Sequence, residues 1–384
     1  MQLPIADGRL FPPAHPGGAP IECSLWLCVI KKGATTPVSS HTVGMSFVFV
    51  RVWLFVLILP TLMLMGCARG PASAAVTNKS LVVVVNVNDA DSVAAGMRYL
   101  QVHDIAPERL IQVKLPVQDV LSAQEFFAFQ ATLDRQLPAD TAGLAMVWQR
   151  PYRVDCMSIT SAVAFRGDRA ACASQCGLTR TSPWVFDPDG RQKNTRGVLR
   201  SMLVTGGDLE ETLALIDRAA TPRLNLGSVQ ALLVRSGDRA RDVRGSDFRA
   251  LHKNPPAGLN IQLLNQFPSD AAGVMFYFTG AVRVPHLDQI DFLPGSVADH
   301  LTSFGGRLYG SSQMSVLEWI RAGASGSYGA VVEPCNHVNK FPNPNLLVPH
   351  YAGGSTLLEA YWASVEMPGQ GLFVGDPLVR WINR

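Results

Sequence analysis

The chain has 384 residues, of which 47% are hydrophobic and 16% charged, and its formal net charge is +3. A chain of this size and composition can bury a large core, and basic residues scattered among acidic ones argue against nucleic acid as a partner. The one basic cluster is interrupted by Asp238 and Asp242, which is typical of a solvated helix or loop face. Its arginines are Arg235, Arg239, Arg241 and Arg244.

A long apolar segment near the start of the chain, Met45 to Cys67, has the organisation of a bacterial lipoprotein signal. It contains the early positive charge Arg51, an apolar run from Val52 to Met65, and Gly66 as a small residue directly before the cysteine. We therefore expect residues 45–67 to be a signal peptide and Cys67 to be the lipidation site. A retained transmembrane anchor over the same segment, about 20 residues long, is the alternative, and a buried helix is a further one.

The signal divides the rest of the chain into regions with different roles. Residues 1–44 are rich in proline and glycine and show no sustained hydrophobic period, so we expect a non-native or disordered leader with Met45 as the true initiator. Residues 68–80 are small and polar and suit a tether. The body, residues 81–384, is then expected in the cell envelope, on the periplasmic face of a membrane and more readily the outer than the inner one.

The seven cysteines follow this division. Cys23 and Cys28 precede the signal, Cys67 would carry the lipid, and the other four belong to the body. These are Cys156, Cys172, Cys176 and Cys335. An even number in an oxidising compartment predicts disulfides, and three pairings remain open. A local bridge between Cys172 and Cys176 is sterically possible because they share a Gly- and Ser-containing loop.

Strands alternate with helices from residue 81 onward, which predicts an α/β domain with a mostly parallel sheet between two helical layers, as in a Rossmann-like sandwich. The first strand, Leu81 to Val85, is a continuous aliphatic run typical of a strand buried on both faces. The further predicted strands are 110–115, 143–148, 202–205, 229–234, 260–264, 274–278, 326–332 and 371–374. The predicted helices are 92–102, 122–137, 209–220, 238–252, 313–322 and 356–365. Residues 150–200 form an irregular excursion over one end of the sheet.

Ligand-binding residues of a parallel sheet lie beyond the carboxyl ends of its strands. No glycine-rich nucleotide motif follows the first strand, and Asp89 and Asp91 are interpreted as helix caps, so the sequence indicates no cofactor. Arg150 and Arg153 follow the third strand and are candidates for binding a carboxylate or phosphate. A structural ion pair of either arginine with Asp155 or Asp168 is the alternative.

Candidate catalytic residues follow two later strands. Cys335 comes just after the strand 326–332, where an α/β hydrolase or peptidase holds its nucleophile, and His300 or His337 would act as the base. A disulfide at Cys335 and a structural, hydrogen-bonded role for His300 are the alternatives. Asp299 cannot orient the adjacent His300 on one helix face, because neighbouring side chains point apart. The histidines near Cys335 lack the paired spacing of a zinc site, so we expect no metal.

Several runs in the last third of the chain resemble a known family. They are Asp299 to Gly306, Ala322 to Gly329, Glu333 to Cys335 and Gly371 to Leu378. They resemble an uncharacterised family of exported bacterial proteins found in species that carry the exosortase protein-sorting system. The resemblance extends from residue 81 to the C terminus and implies no established activity.

A more distant resemblance concerns the fold. Phe276 to Gly280, Gly323 to Val332 and Gly375 to Pro377 are similar to segments of gingipain-type cysteine peptidases, which implies a caspase-like fold. In those enzymes a histidine lies in a Gly-His-Gly turn, whereas this chain reads Thr279-Gly280-Ala281. Peptidase activity is therefore not implied by motif. Asp376, directly after the last strand, is a further candidate for substrate binding.

Two functions from different classes follow. The first is a non-catalytic lipoprotein that binds an envelope protein partner, in connection with exosortase-type sorting or polymer export. The second is a cell-envelope cysteine peptidase or hydrolase that uses Cys335 with His300 or His337. Four body cysteines and a displaced dyad favour the first.

Overall fold

The computed structural model describes residues 75–168, 172, 176–185, 197–220 and 229–381. Within these ranges the protein is an α/β domain with a large, mostly parallel sheet flanked by helices, which confirms the predicted class. The predicted leader, the signal segment and Cys67 lie outside the described residues.

Ten strands form the main sheet, in the order β2-β1-β4-β7-β13-β12-β11-β10-β8-β9. Their bounds are β1 Leu81–Asn86, β2 Leu110–Val113, β4 Gly143–Val147, β7 Ser201–Val204, β8 Val229–Val234, β9 Leu259–Leu264, β10 Ala271–Gly280, β11 Ile290–Leu301, β12 Gly326–Ala330 and β13 Gly371–Gly375. A small second sheet contains β3 Val120–Leu121, β5 Arg153–Val154 and β6 Met157–Ser158. The helices are α1 Ala90–Val102, α2 Ala123–Gln136, α3 Ile159–Ala164, α4 Leu209–Arg218, α5 Gly245–Lys253, α6 Leu317–Arg321, α7 Pro344–Ala352 and α8 Leu357–Trp362.

The main sheet consists of two parallel groups on either side of β13. All neighbours within β2-β1-β4-β7 are parallel, and so are all neighbours within β9-β8-β10-β11-β12. Strand β13 pairs antiparallel with β12 over five residue pairs and contacts β7 at the bridge between Val374 and Leu203. The final strand therefore joins the two groups.

In each group the chain reverses direction across the sheet after its first two strands. The second strand along the chain lies at the outer edge, the first lies next to it, and the third lies on the other side of the first. The order therefore reverses between β1 and β4 and again between β8 and β10. Such switch points are where open α/β sheets form ligand crevices at strand carboxyl ends.

Local sequence explains the first units of the fold. All residues of β1 are buried, as its aliphatic run predicts. Helix α1 begins after Asp89, whose side chain accepts a hydrogen bond from the backbone nitrogen of Asp91, so the predicted cap is confirmed. Helix α2 begins at a capping box in which Ser122 and Glu125 bind each other's backbone nitrogens.

The two longest elements that were not predicted from the sequence are β11 and α7. Strand β11 contains Pro294 and Gly295, which read as a break, and α7 contains Pro349 within a proline-rich segment. Helix α6 is shorter than the predicted 313–322, because residues before Leu317 remain in a loop. The predicted excursion contains β5, β6 and α3.

The body begins earlier than residue 81. Val76 is fully buried, its nitrogen donates to Glu359 Oε1 at 2.9 Å, and its carbonyl accepts from Arg380 Nη2 at 2.8 Å. Val76, within the predicted tether 68–80, therefore packs on the folded body, and residues 68–74 lie outside the described residues. Among the described residues, no helix combines the length and the apolar character that spanning a bilayer requires.

The interpretation of Arg244 as part of a solvated face is wrong. Arg244 is 1% exposed, and its Nη2 lies 2.6 Å from both Thr279 O and Asp299 Oδ1. Its Nη1 donates to Pro342 O at 3.3 Å. The cluster is divided by burial, since Arg239 is exposed while Arg244 crosses the core and links β10, β11 and the segment before α7.

Candidate functional site

The loops that follow β4, β7, β11 and β12 meet at one edge of the main sheet. Tyr309, in the loop after β11, donates its hydroxyl to Gly207 O at 3.0 Å and lies 3.3 Å from Gln149 Oε1. Arg307, two residues earlier, donates from Nε to Val331 O at 3.1 Å. Loops from both parallel groups therefore build this edge, as expected for strand carboxyl ends.

The side chain of Arg150 is held at this edge by contacts with an acidic and an aromatic residue. Its Nε lies 2.6 Å from Asp119 Oδ1, and its guanidinium lies 3.6 Å from the centre of the Tyr309 ring. The hydroxyl of Tyr152 donates to the other oxygen of Asp119 at 3.2 Å, and burial raises the pKa of Tyr152 to about 12. The predicted structural ion pair is thus present, but its acid is Asp119 rather than Asp155 or Asp168.

The other arginine candidate, Arg153, begins the short strand β5. Its backbone nitrogen donates to Asp119 O at 3.2 Å, and its Nε is buried with no hydrogen-bond partner among the described residues. Arg150 is thus paired with Asp119, and the backbone of Arg153 is tied into the small sheet. Binding of a carboxylate or phosphate by either arginine stays a prediction. Asp119 and Tyr309 were missed because each lies in a loop without any motif.

All four body cysteines form disulfides, as the even count predicted. Cys156 is bonded to Cys172 with a Cα separation of 5.5 Å, and Cys176 is bonded to Cys335 with a Cα separation of 5.3 Å. The pairing differs from the local bridge between Cys172 and Cys176, because the fold places each of them beside a cysteine that is further away in the sequence. In this state Cys335 has no thiol, so it cannot supply the predicted nucleophile.

His300 is fully buried on β11, and both its ring nitrogens are occupied. Trp319 Nε1–H donates to Nδ1 at 2.8 Å, which leaves the proton on Nε2, and Nε2 donates to Met314 O at 3.0 Å. Burial, together with the nearby positive charges of Arg244, Arg241 and Arg283, lowers the pKa of His300 to about 4, although the hydrogen bond to Met314 acts in the opposite direction. The ring is therefore neutral and has no lone pair available to take a proton from a nucleophile.

Asp299 and His300 are neighbours on a strand rather than on a helix. They still point to opposite faces, because side chains alternate along a strand. Asp299 is 1% exposed and binds Arg244, and burial raises its pKa despite that positive partner. The two residues therefore serve separate parts of the core.

The remaining candidates do not assemble into a catalytic group. The backbone of His337 lies in the turn after Cys335, where its nitrogen donates to Pro334 O at 3.4 Å. Asp376 is fully buried, and its carboxylate lies 2.8 Å from Tyr99 Oη and 2.7 Å from His103 Nε2. Asp376 thus fastens the end of β13 to α1, and its oxygens do not face a substrate.

A small crevice lies beside the end of β4, between the first residues of α1 and α4. Its volume is only about 10 Å³, and it is lined among others by Asp91, Ser92, Trp148 and Thr212. Within this lining, the hydroxyl of Ser92 donates a hydrogen bond to Val147 O. This space admits about one water molecule and no nucleotide.

No group of three or more acidic, histidine or cysteine side chains suited to a metal occurs among the described residues. No protein-family model matches the chain, and no curated protein is significantly similar to it. The class that fold and site define is thus an α/β domain with two disulfides and a polar edge built by loops from both parallel groups.

Proposed function

We propose that this protein is an exported lipoprotein, anchored through Cys67, whose α/β body binds a partner in the cell envelope without catalysing a reaction. The observation that carries the proposal is the disulfide between Cys176 and Cys335, which removes the only nucleophile that the sequence offered at a strand end. The buried and doubly hydrogen-bonded His300 supports it, since a general base needs a free nitrogen. The resemblance to exported proteins connects this role with exosortase-type sorting or polymer export.

The two disulfides also support the proposed compartment. Structural disulfides persist outside the cytoplasm and are rare inside it. A domain of about 300 residues can close its core without them, so their presence is better explained by an oxidising environment than by a need for staples. The export proposal and the disulfides are therefore consistent with each other.

The catalytic part of the proposal is tested by counting free thiols. Protein from the native host is denatured without reductant, alkylated and analysed by mass spectrometry. We expect no alkylation at Cys156, Cys172, Cys176 or Cys335. An alkylated Cys335 with a low thiol pKa would favour the cysteine peptidase or hydrolase instead.

The anchor is tested separately by a Cys67→Ser variant expressed beside the wild type. We expect the wild type to incorporate labelled fatty acid and to fractionate with membranes, and we expect the variant to lose the label. The variant Cys156→Ser/Cys172→Ser, which removes two cysteines of the body and leaves the predicted signal unchanged, is the control and should keep the label. A wild-type protein without lipid, or a recovered peptide from before Met45, would contradict the predicted signal.

A further inference from the structure

A second polar site lies beside the edge described above, in the loop that connects β11 to α6. It is a pocket of about 160 Å³ between this loop and the residues that follow β10. Its polar lining comprises Arg283, Arg307, Ser311, Gln313, Ser315 and Glu318. The pocket therefore lies beyond the carboxyl ends of two neighbouring parallel strands, the usual position of a ligand site in such a sheet.

The amide of Gln313 presents its donor end to the pocket. Its Oε1 accepts hydrogen bonds from Thr302 Oγ1 at 2.9 Å and from the backbone nitrogen of Phe304 at 2.8 Å. Because a backbone nitrogen can only donate, the oxygen of this amide is fixed in that direction. The Nε2 group therefore remains as a donor.

The two serines of the lining, Ser311 and Ser315, also have a donor that is free for a ligand. Ser311 Oγ accepts from the backbone nitrogen of Gln313 at 3.1 Å, and Ser315 Oγ accepts from that of Leu317 at 3.3 Å. Neither hydroxyl hydrogen has an acceptor among the described residues. Both hydroxyls are therefore available to donate to a ligand.

The arginines add positive charge that the protein leaves uncompensated. Arg307 uses Nε for Val331 O, and its guanidinium lies 4.1 Å over the Phe304 ring. Its terminal nitrogens have no hydrogen-bond partner among the described residues. Arg283 is exposed and forms no ion pair within the described ranges. Glu318 is the only acid of the lining, and its Oε1 is already 2.7 Å from Arg321 Nη1.

The loop that carries these groups is fixed before any ligand binds. The backbone nitrogen of Val316 donates to Gly305 O at 2.8 Å, and that of Met314 donates to Val282 O at 3.0 Å. The carbonyl of Met314 accepts a hydrogen bond from His300 Nε2. A side chain at Gly306 would place its Cβ 2.2 Å from Gly329 O, so the loop lies directly against β12. A loop that is already ordered lowers the entropic cost of binding an anion.

We propose that this pocket binds a tetrahedral oxyanion, either a phosphate or a sulfate group. Five donor side chains converge on it, two of them guanidinium groups, and charge-assisted hydrogen bonds to oxyanions are the strong kind. The inference deepens the binding function proposed above by naming its ligand chemistry. The thiol and lipid measurements do not depend on it, so its failure would leave that proposal to its own tests.

The test is calorimetric titration of the full, disulfide-intact chain in detergent with inorganic phosphate and with sulfate, at constant ionic strength set with sodium chloride. We expect saturable binding of at least one of them. Arg283→Gln should weaken it at least tenfold, whereas Arg239→Gln, which removes the same charge from an exposed position elsewhere, should change it less than twofold. Because Arg283 is exposed, thermal unfolding should confirm that the variant is folded.

Two results would overturn the proposal. One is the absence of saturable binding of both anions to the wild type, and the other is an equal loss in the two arginine variants, which would indicate net charge alone. Glycerol 3-phosphate then distinguishes the source of the group. Tighter binding of this ester than of inorganic phosphate indicates a phosphorylated larger molecule, and weaker binding indicates the free ion.

Discussion

Arg244 and Asp299 form a buried ion pair, and the loss of one partner differs in its energetic effect from the loss of both. The side chains of both residues are almost inaccessible, and Arg244 also donates to two backbone carbonyls. Removing one charge leaves the other buried without a partner, whereas removing both avoids that penalty. The pair therefore fixes the arrangement of β10, β11 and the segment before α7.

We expect Arg244→Met to lower the free energy of unfolding by about 3–5 kcal/mol, because it leaves Asp299 uncompensated. Asp299→Leu should cost a similar amount. The double variant should lose clearly less than the sum. Urea unfolding of all four proteins measures this cycle, and additive losses would contradict the pairing.

His300 should make stability depend on pH. Its pKa in the folded protein is about 4, below the ordinary value of 6.5, so between these two values the unfolded chain binds a proton that the folded protein does not. Its contribution to stability is complete above pH 6.5 and is lost as the pH falls toward 4, by up to about 3 kcal/mol.

We expect His300→Gln to flatten the decrease of the free energy of unfolding between pH 6.5 and pH 4, even though the variant is less stable at pH 7. His252→Gln, at an exposed position on α5, is the control and should keep the wild-type slope. Urea titrations at several pH values test this. An unchanged slope in His300→Gln would refute the assignment.

At the level of elements, the sequence predicted what periodicity and caps encode. The aliphatic run of β1, the acidic cap of α1 at Asp89 and the alternation of strands with helices were all sufficient. Strand β11 was not predictable in this way, because Pro294 and Gly295 interrupt it and tertiary packing decides their conformation. Because β11 was not predicted, the loop that follows it and lines the pocket was not recognised as a loop at a strand end.

The position of the candidate site at the strand ends was predictable from the sequence, but the residues that contact each other there were not. Arg150 lies at a strand end as expected, yet Asp119 is 31 residues away and only the folded chain brings it there. The disulfide count followed from composition, whereas the pairing needed three-dimensional proximity. The residue types thus predicted an ion pair and disulfides, whereas tertiary contacts decide which residues form them.

The two disulfides should differ in their contribution to stability. The bridge from Cys176 to Cys335 closes a loop of 159 residues, whereas that from Cys156 to Cys172 closes one of 16. In the chain-entropy account, the longer bridge is worth about 5 kcal/mol and the shorter about 3 kcal/mol. We expect the Cys176→Ala/Cys335→Ala variant to be the less stable one in urea. Equal stabilities of the two double variants would show that loop entropy is not the dominant cause.

At the scale of the whole molecule, the position of β13 makes the two parallel groups one cooperative unit. It pairs with β12, bridges to β7 and is fastened to α1 through Asp376. Separate folding of either group would leave one edge of its sheet unpaired. The groups should therefore unfold together.

We expect native-state hydrogen exchange to report one opening free energy for the amides of Val84 in β1 and Phe278 in β10, one from each group. Increasing urea should lower both values together, in step with the global free energy of unfolding. The amide of Leu263 on the edge strand β9 is the control and should exchange faster. Persistently different values for Val84 and Phe278 would mean that the groups are independent foldons.

The place of β13 in the chain also has a consequence for biogenesis. It follows every other described strand, yet it occupies an interior position of the sheet. Until it emerges from the ribosome, neither group has its inner neighbour, and the nascent chain cannot reach its native energy minimum. The export proposed above would require the chain to cross a secretion channel as an extended polypeptide. Such late closure would favour that passage, since premature compaction would block it.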